Sequence, residues 1–220
     1  MYYDLIASLP HLPHFERAER LPITPLQLER RLGSLRPQHA EQLQAARAVV
    51  RWRPERFTKR TDQSAVAAYA ALLHTKLDTP LREYIHFRLS HQMLLVALRR
   101  KQAGLPAPDD SRTLGIGPLV VSLRRNWDTP FFGLQYRYPW LPLAAEELAS
   151  CDALGLERLL VELHWRWLTR SAEQAMFGFA AVVAFVLKWD MLRTWIEADP
   201  QQAKVRFTQL IDRVTNVEGQ

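Results

Sequence analysis

The strongest constraint on this chain is Phe177 to Ile196, FGFAAVVAFVLKWDMLRTWI, a solid apolar run that turns amphipathic at Lys188. Val182, Phe185, Trp189, Leu192 and Ile196 recur at spacings of three and four, which is one face of a helix. Ser171 with Gln174 three residues on reads as a capping box, and Asp199-Pro200 as a stop. A helix of about 28 residues, roughly 42 Å long, is expected between them. Asp199 and Pro200 also suit the start of another helix, with Ala203, Phe207, Leu210, Ile211 and Val214 along one stripe. The chain is therefore expected to end in a long αα-hairpin, whose apolar inner half must be enclosed by the rest of the protein.

Upstream the punctuation is helical. Met1 to Leu9 is apolar and aromatic before Pro10 and Pro13, and reads as a short strand or an extended segment; HLPHFERAERLP reads as a loop or short helix. Thr24-Pro25 with Gln27 opens a helix that Gly33 closes. Another is expected from Pro37 to about Trp52, ended by Pro54. Ser64 begins an alanine-rich helix whose small side chains allow a close neighbour, and Thr79-Pro80 opens the next. There Leu81, Ile85, Leu89, Met93 and Val96 form a stripe, and Gly104 with Pro106 is the stop. Residues 105–118, LPAPDDSRTLGIGP, are a Pro/Gly loop that divides the chain into helical parts 1–104 and 119–220 of a single domain, 1–220. Leu119 to Leu123 fits helix or strand, and Asn126 to Pro142 is an aromatic, proline-punctuated connection. A helix through Leu156, Leu159, Leu160, Leu163 and Trp167 leads into the closing hairpin. The expected fold is all-α, with seven or eight helices in one compact bundle-like domain and little or no strand.

At 220 residues and 48% hydrophobic content the chain can bury a sizeable core. The longest uncharged apolar run, Ala175 to Leu187, is shorter than the roughly 20 residues of a membrane span, and no signal peptide is legible, so a soluble, cytoplasmic protein is expected. The lone Cys151 can form no internal disulfide. The net charge of +6 lies in the first half: residues 1–110 carry 17 Lys/Arg against 11 Asp/Glu, and residues 111–220 carry 12 of each. That excess suits nucleic acid, an anionic membrane surface or an acidic protein.

Motifs of catalysis are weak. His11 and His14 are separated by a proline-containing pair without Cys or paired carboxylates nearby, while His86 and His91 fall on different sides of a helix, so no metal site is expected. Ser90-His91 point apart, no nucleophile elbow exists, and Cys151 has no adjacent cation. Gly115-Ile116-Gly117-Pro118 lacks the Lys-Ser/Thr of a phosphate loop and reads as a turn. Asp109-Asp110 and Glu146-Glu147 lie in polar surroundings that suit no general acid. No catalytic residue and no cofactor is assigned. The candidate partner-binding set is Arg51, Trp52, Arg53, Arg56, Lys59 and Arg60, which interleave with Phe57 as cations and stacking rings do at nucleic acids. An acidic protein surface, or a solvated face whose rings anchor the core, fits the same stretch. Arg99, Arg100 and Lys101 offset a helix dipole, while Asp190 is in reach of Arg193, and Arg193 of Glu197, where the last apolar helix is expected to emerge into water.

Several segments together carry a family resemblance: Tyr2-Tyr3 through Ala7-Ser8-Leu9-Pro10, Leu21-Pro22-Ile23, Leu98-Arg99-Arg100 with Ala103-Gly104-Leu105, Phe132-Gly133-Leu134 with Pro139-Trp140-Leu141, Leu156-Glu157-Arg158-Leu159 with Trp165, and Ala184 to Trp189. On these the chain resembles a bacterial family, designated a domain of unknown function, encoded beside V/A-type rotary ATPase subunits. The terminal segment is similar to the C-terminal helices of the central-stalk adaptor of those ATPases. The resemblance implies a non-catalytic adaptor that docks the central stalk to the membrane rotor ring, with stalk and ring subunits as partners and membrane contact only through them. The alternative is a nucleic-acid-binding helical module using residues 51–60.

Overall fold

The computed structural model describes residues 1–50, 62–108 and 117–198. Within them the protein is all-α, with nine α-helices and no strand. These are α1 (Tyr3–Ser8), α2 (Pro25–Leu32), α3 (Pro37–Val50), α4 (Asp62–Leu73), α5 (Thr79–Gln102), α6 (Pro118–Arg125), α7 (Leu141–Ala149), α8 (Ala153–Gln174) and α9 (Phe179–Ala198).

The apolar stretch that dominates the sequence becomes α9, and it is the axis of the fold. Val182, Trp189, Leu192 and Ile196 of the expected stripe are buried and Phe185 is half-buried, but Val183, Ala184, Val186, Leu187 and Met191 are buried too. A helix covered on so many sides needs neighbours all round. α8 lies beside it as an antiparallel partner, while α3 and α5 also contact it.

The expected 28-residue helix is two helices. Ser171 and Gln174 do not cap it; they form the last turn of α8. The helical hydrogen bonding breaks at Ala175, which adopts φ −140° and ψ 58°, and Gly178 N–H donates to Ala175 O (2.9 Å) before Phe179 begins α9. The break reverses the chain so that two apolar faces bury each other, which an unbroken helix could not do. The closing hairpin among the described residues is thus α8–α9; the further helix expected over 200–214 lies outside them.

Residues Met1 to Leu9, read as strand or extended, contain α1 instead. No sheet is present among the described residues to pair a strand, whereas a helix satisfies its own backbone and places Asp4 in the first turn and Leu5 in the core. Leu119 to Leu123 are helical, within α6, and Phe15–Arg17 is a 3₁₀ turn. The capping box of α2 forms as expected: Gln27 N–H donates to Thr24 Oγ1 and Thr24 N–H to Gln27 Oε1, both 3.3 Å. α5 buries its whole predicted stripe and ends in a Schellman motif, with Gly104 N–H donating to Lys101 O, Leu105 N–H to Arg100 O, and Gly104 at φ +67°.

The aromatic connection after α6 lies on the core. Trp127, Phe132 and Trp140 are buried, Phe131 and Tyr138 half-buried, and only Tyr136 projects, 91% exposed. Phe131 and Phe132 take left-handed φ angles of 50° and 59°, at about 1–2 kcal/mol per residue. Lys101, expected only to offset the α5 dipole, holds that turn: Nζ donates to Trp127 O (2.8 Å) and Thr129 O (2.7 Å) and lies 5.1 Å from the Phe132 ring centre.

Two long-range ties lock α9 to the N-terminal third. Trp189 Nε1 donates to Ile23 O at 3.0 Å. Asp190 accepts two bonds from Arg47 of α3, from Nε (2.7 Å) and Nη2 (2.8 Å), instead of pairing with Arg193; Arg193 pairs with Glu197 as expected, at 2.9 Å. The helix therefore does not emerge into water at Lys188–Asp190, since Met191, Leu192 and Ile196 remain buried beyond it. Burial by itself lowers the Arg47 pKa, but Asp190 and Glu29 outweigh it and hold the value raised.

Two outcomes test these contacts by urea denaturation. Asp190→Ala leaves Arg47 half-buried without its bidentate partner and is expected to cost about 2 kcal/mol, while Glu29→Ala, at the exposed end of the same guanidinium, changes stability by less than about 0.5 kcal/mol. Gly104→Ala forces a side chain into the left-handed region and is expected to cost about 1 kcal/mol.

Candidate functional site

The candidate partner-binding residues Arg51, Trp52, Arg53, Arg56, Lys59 and Arg60 lie outside the described residues, as do Asp109, Asp110 and Gly115. The other polar candidates lie within them. His11 is exposed; His14 shares a 2.9 Å hydrogen bond with Glu162 of α8 and packs edge-on to Trp165. His86 is exposed, and Ser90 Oγ donates to His86 O. Cys151 is exposed at φ +57°, and Glu146 is exposed while Glu147 is half-buried beside Gly155. Among the described residues no group of three or more His, Cys, Asp or Glu could hold a metal ion.

The sequence places His91 only on a different side of its helix from His86, and the structure puts it in the core. It is 4% exposed and sits beside His164, 1% exposed, with ring centres 5.1 Å apart. α5 is buried on two sides here: His91 shares a face with Tyr84, Leu95 and Leu98, at i−7, i+4 and i+7 and away from the Leu81–Val96 stripe, and His164 precedes Trp165 on the inner side of α8. His164 is invisible to motif reading because it has no ligand or nucleophile near it in sequence. The signal available is its period alone: Val161, His164, Trp165 and Leu168 make the deepest face of α8, while the predicted Leu159, Leu160, Leu163 and Trp167 flank it half-buried.

Rings enclose the pair. His91 stacks on Trp140 (4.9 Å, 19°), and Phe87 and Tyr84 meet His164 edge-on at 5.0 and 5.8 Å. Trp167 closes over Phe87 at 5.3 Å. His91 Nδ1–H donates to Phe87 O at 2.7 Å, which assigns its tautomer. Burial pushes the His91 imidazole down to about 4, with Arg88 assisting and the Phe87 bond opposing; burial, then Arg88 and His91, push His164 well below its ordinary value. Both rings are neutral in the folded protein at neutral pH. Dispersion and ring stacking hold them in place.

At the end of the molecule where α5 and α9 begin, a second polar chain fastens the N-terminus. In the neutral ring His39 Nε2–H donates to Asp78 Oδ2 (2.7 Å), leaving Nδ1 to accept from the Tyr2 hydroxyl. His39 stacks on Phe179 at 4.0 Å and 11°, and Tyr2 N–H donates to Phe177 O. Next to it Met1, Tyr3, Met176 and Phe177 form an exposed apolar tip, with Tyr3 and Phe177 ring centres 4.7 Å apart. Lys188 is half-buried over Trp165 (4.5 Å) and donates to Thr169 Oγ1; burial lowers its pKa against the pull of Glu173.

Two open depressions mark the described surface. One, of about 570 Å³, is bounded by Pro13, Arg17–Arg20, Leu21 and Pro22. The other, of about 380 Å³, lies between Ala107-Pro108 and Val121, Arg124 and Arg125 of α6. No described helix is long and apolar enough to cross a membrane.

Fold and surface together define an all-helical protein whose described buried titratable groups serve its own packing. The chain belongs to the DUF2764 family, a protein family of unknown function, whose model matches residues 54–217. No curated protein and no solved structure matches it.

The histidine pair predicts a pH dependence of stability. The unfolded chain takes up protons near 6.5, whereas folded His91 does so only near 4, so between those values the unfolded state binds more protons. Stability is full above pH 6.5 and is expected to fall as pH falls through that window, by up to about 1.4 kcal/mol per pH unit for each histidine. Urea titrations across the window check this, and His91→Leu is expected to flatten the slope relative to the native chain.

Proposed function

We propose that the protein is a non-catalytic structural component of a V/A-type rotary ATPase, in the position of the adaptor that docks the central stalk to the membrane rotor ring. The reading starts from the resemblance carried by the opening segment and by Ala184 to Trp189. The observation that supports it best is the two-ended form of the helix pack. α5, of 24 residues and so about 36 Å long, runs beside α8 and α9 from the apolar tip at Met1, Tyr3, Met176 and Phe177 to a cationic end at Arg99, Arg100, Lys101, Arg124 and Arg125. A close-packed core transmits force between such ends without deforming. An adaptor needs two faces of different chemistry and a stiff body between them.

In this reading the protein is cytoplasmic, peripheral to the membrane through the complex, and works without cofactor or small-molecule substrate. Residues 51–60 serve as a further contact to an acidic partner surface, where charge steers and registers the encounter. A mild-detergent pull-down of the tagged protein from its native cells, read by mass spectrometry, tests this. Stalk and ring subunits are expected in fixed proportion, and the combined Arg51→Glu, Arg53→Glu and Arg60→Glu variant is expected to reduce their recovery about tenfold. Their absence from the pull-down while the ATPase itself is intact would overturn the reading.

A further inference from the structure

We propose that the groove between residues 105–108 and α6 docks an acidic segment of a partner protein that carries an apolar side chain as its anchor. The inference rests on the docking reading only in taking a protein as the occupant; its own support is local.

One wall of the groove is a face of α6. Val120 and Leu123 turn inward and are buried, which leaves Val121 outside at 66% exposed. Arg124 and Arg125 follow at i+3 and i+4, so an apolar side chain and two guanidinium groups share one helix face over the groove. Neither arginine contacts a carboxylate among the described residues, and both are exposed. Offsetting the α6 dipole accounts for cations in its last turn, but not for the exposed valine one turn before them or for the groove.

The opposite wall is Ala107 and Pro108, beside Leu105 at 45% exposed. It is already ordered. Leu105 N–H is tied to Arg100 O, Arg100 Nη2 donates to Pro106 O at 3.3 Å, and Lys101 is fixed to the Trp127 and Thr129 carbonyls behind it. A site ordered in advance loses little entropy when it is filled.

Charge selects the occupant. The described segments 99–108 and 117–137 carry Arg99, Arg100, Lys101, Arg124, Arg125 and Arg137 against Asp128 as their one carboxylate, and α7, whose Leu148 O accepts from Gln102, brings Glu146 and Glu147 to the same end. Paired guanidinium groups bind carboxylates bidentately. A phosphate is held by converging N–H donors as well, and this wall supplies few: Pro106 and Pro108 have none, and that of Leu105 is used. The apolar lining of Val121, Ala107 and Pro108 gives a hydrophobic side chain a place that a nucleic-acid backbone would leave empty.

The test uses the full chain and a short fluorescein-labelled peptide alternating Glu and Leu, followed by anisotropy. Salt-sensitive binding is expected, weakened about tenfold or more by the Arg124→Glu, Arg125→Glu double variant and severalfold by Val121→Ser; all three side chains are exposed, so the melting temperature is expected to be unchanged in Val121→Ser and lowered by only about a few degrees in the double variant, through the α6 dipole. A peptide alternating Glu and Ser is expected to bind several times more weakly. Peptide binding indifferent to these variants overturns the proposal. So does a groove that instead binds phosphatidylserine vesicles or a single-stranded oligonucleotide, and so does a tenfold gain in peptide affinity in Asp109→Asn, Asp110→Asn, which would assign the groove to the chain's own segment. The outcomes separate from the adaptor reading: peptide binding indifferent to the variants, with ATPase subunits recovered, removes the groove and keeps the adaptor, while variant-sensitive peptide binding without any ATPase recovery does the reverse.

Discussion

The structure depends on enclosing α9. A helix that is apolar around most of its circumference cannot lie on a surface, and each packing partner covers a different side of it: α8 as the antiparallel neighbour, α5 along its length, α3 and the 3₁₀ turn at Phe15 from the N-terminal third. Burial is non-directional and would tolerate α9 rotated or shifted by a turn. The polar ties remove that freedom. Trp189 Nε1 on the Ile23 carbonyl and the Arg47 fork on Asp190 are adjacent on the helix and directional, so together they set its rotation and its height against the first third of the chain.

The need to fill an apolar interior also explains the buried histidines. A neutral imidazole is a flat ring of intermediate polarity: His91 stacks on Trp140 and gives its Nδ1–H to the Phe87 carbonyl, and His164 packs edge-on to Phe87 and Tyr84. Placing two such rings in the core ties packing to proton uptake, because the protonated form has no place there. Lys101 shows the complementary case. Its ammonium group is directed at two carbonyls of a left-handed turn, which offsets part of the backbone strain at Phe131 and Phe132 and presses the aromatic connection onto the core.

Much of the helical plan was legible, and the exceptions have identifiable causes. Thr24 with Gln27, Thr79-Pro80, Gly104 and the Leu81–Val96 stripe are local signals: bonds within a few residues fix the ends at Thr24 and Gly104, the fixed φ of Pro80 suits the first turn of α5, and the stripe marks its buried face. Ser171 and Gln174 look like the same signal but sit at the end of a helix, because the break that matters comes from the need to pair α8 with α9. The α1 segment misled because nine mostly apolar residues without a clear period fit strand or helix equally until a partner is known. The proposed groove was not legible at all: Val121, Arg124 and Arg125 become a wall only when residues 105–108 are laid opposite them.

The sequence by itself determined the all-α class, the main helix boundaries and the demand that Phe179 to Ile196 be buried, since propensity, capping and hydrophobic period act over one or two turns of chain. Only the tertiary structure decided where the last long helix breaks, that Asp190 belongs to Arg47 and not to Arg193, and that His91 meets His164. Those outcomes rest on residues 143 and 73 positions apart, and no local rule can rank one distant pairing over another; packing the whole core at once does.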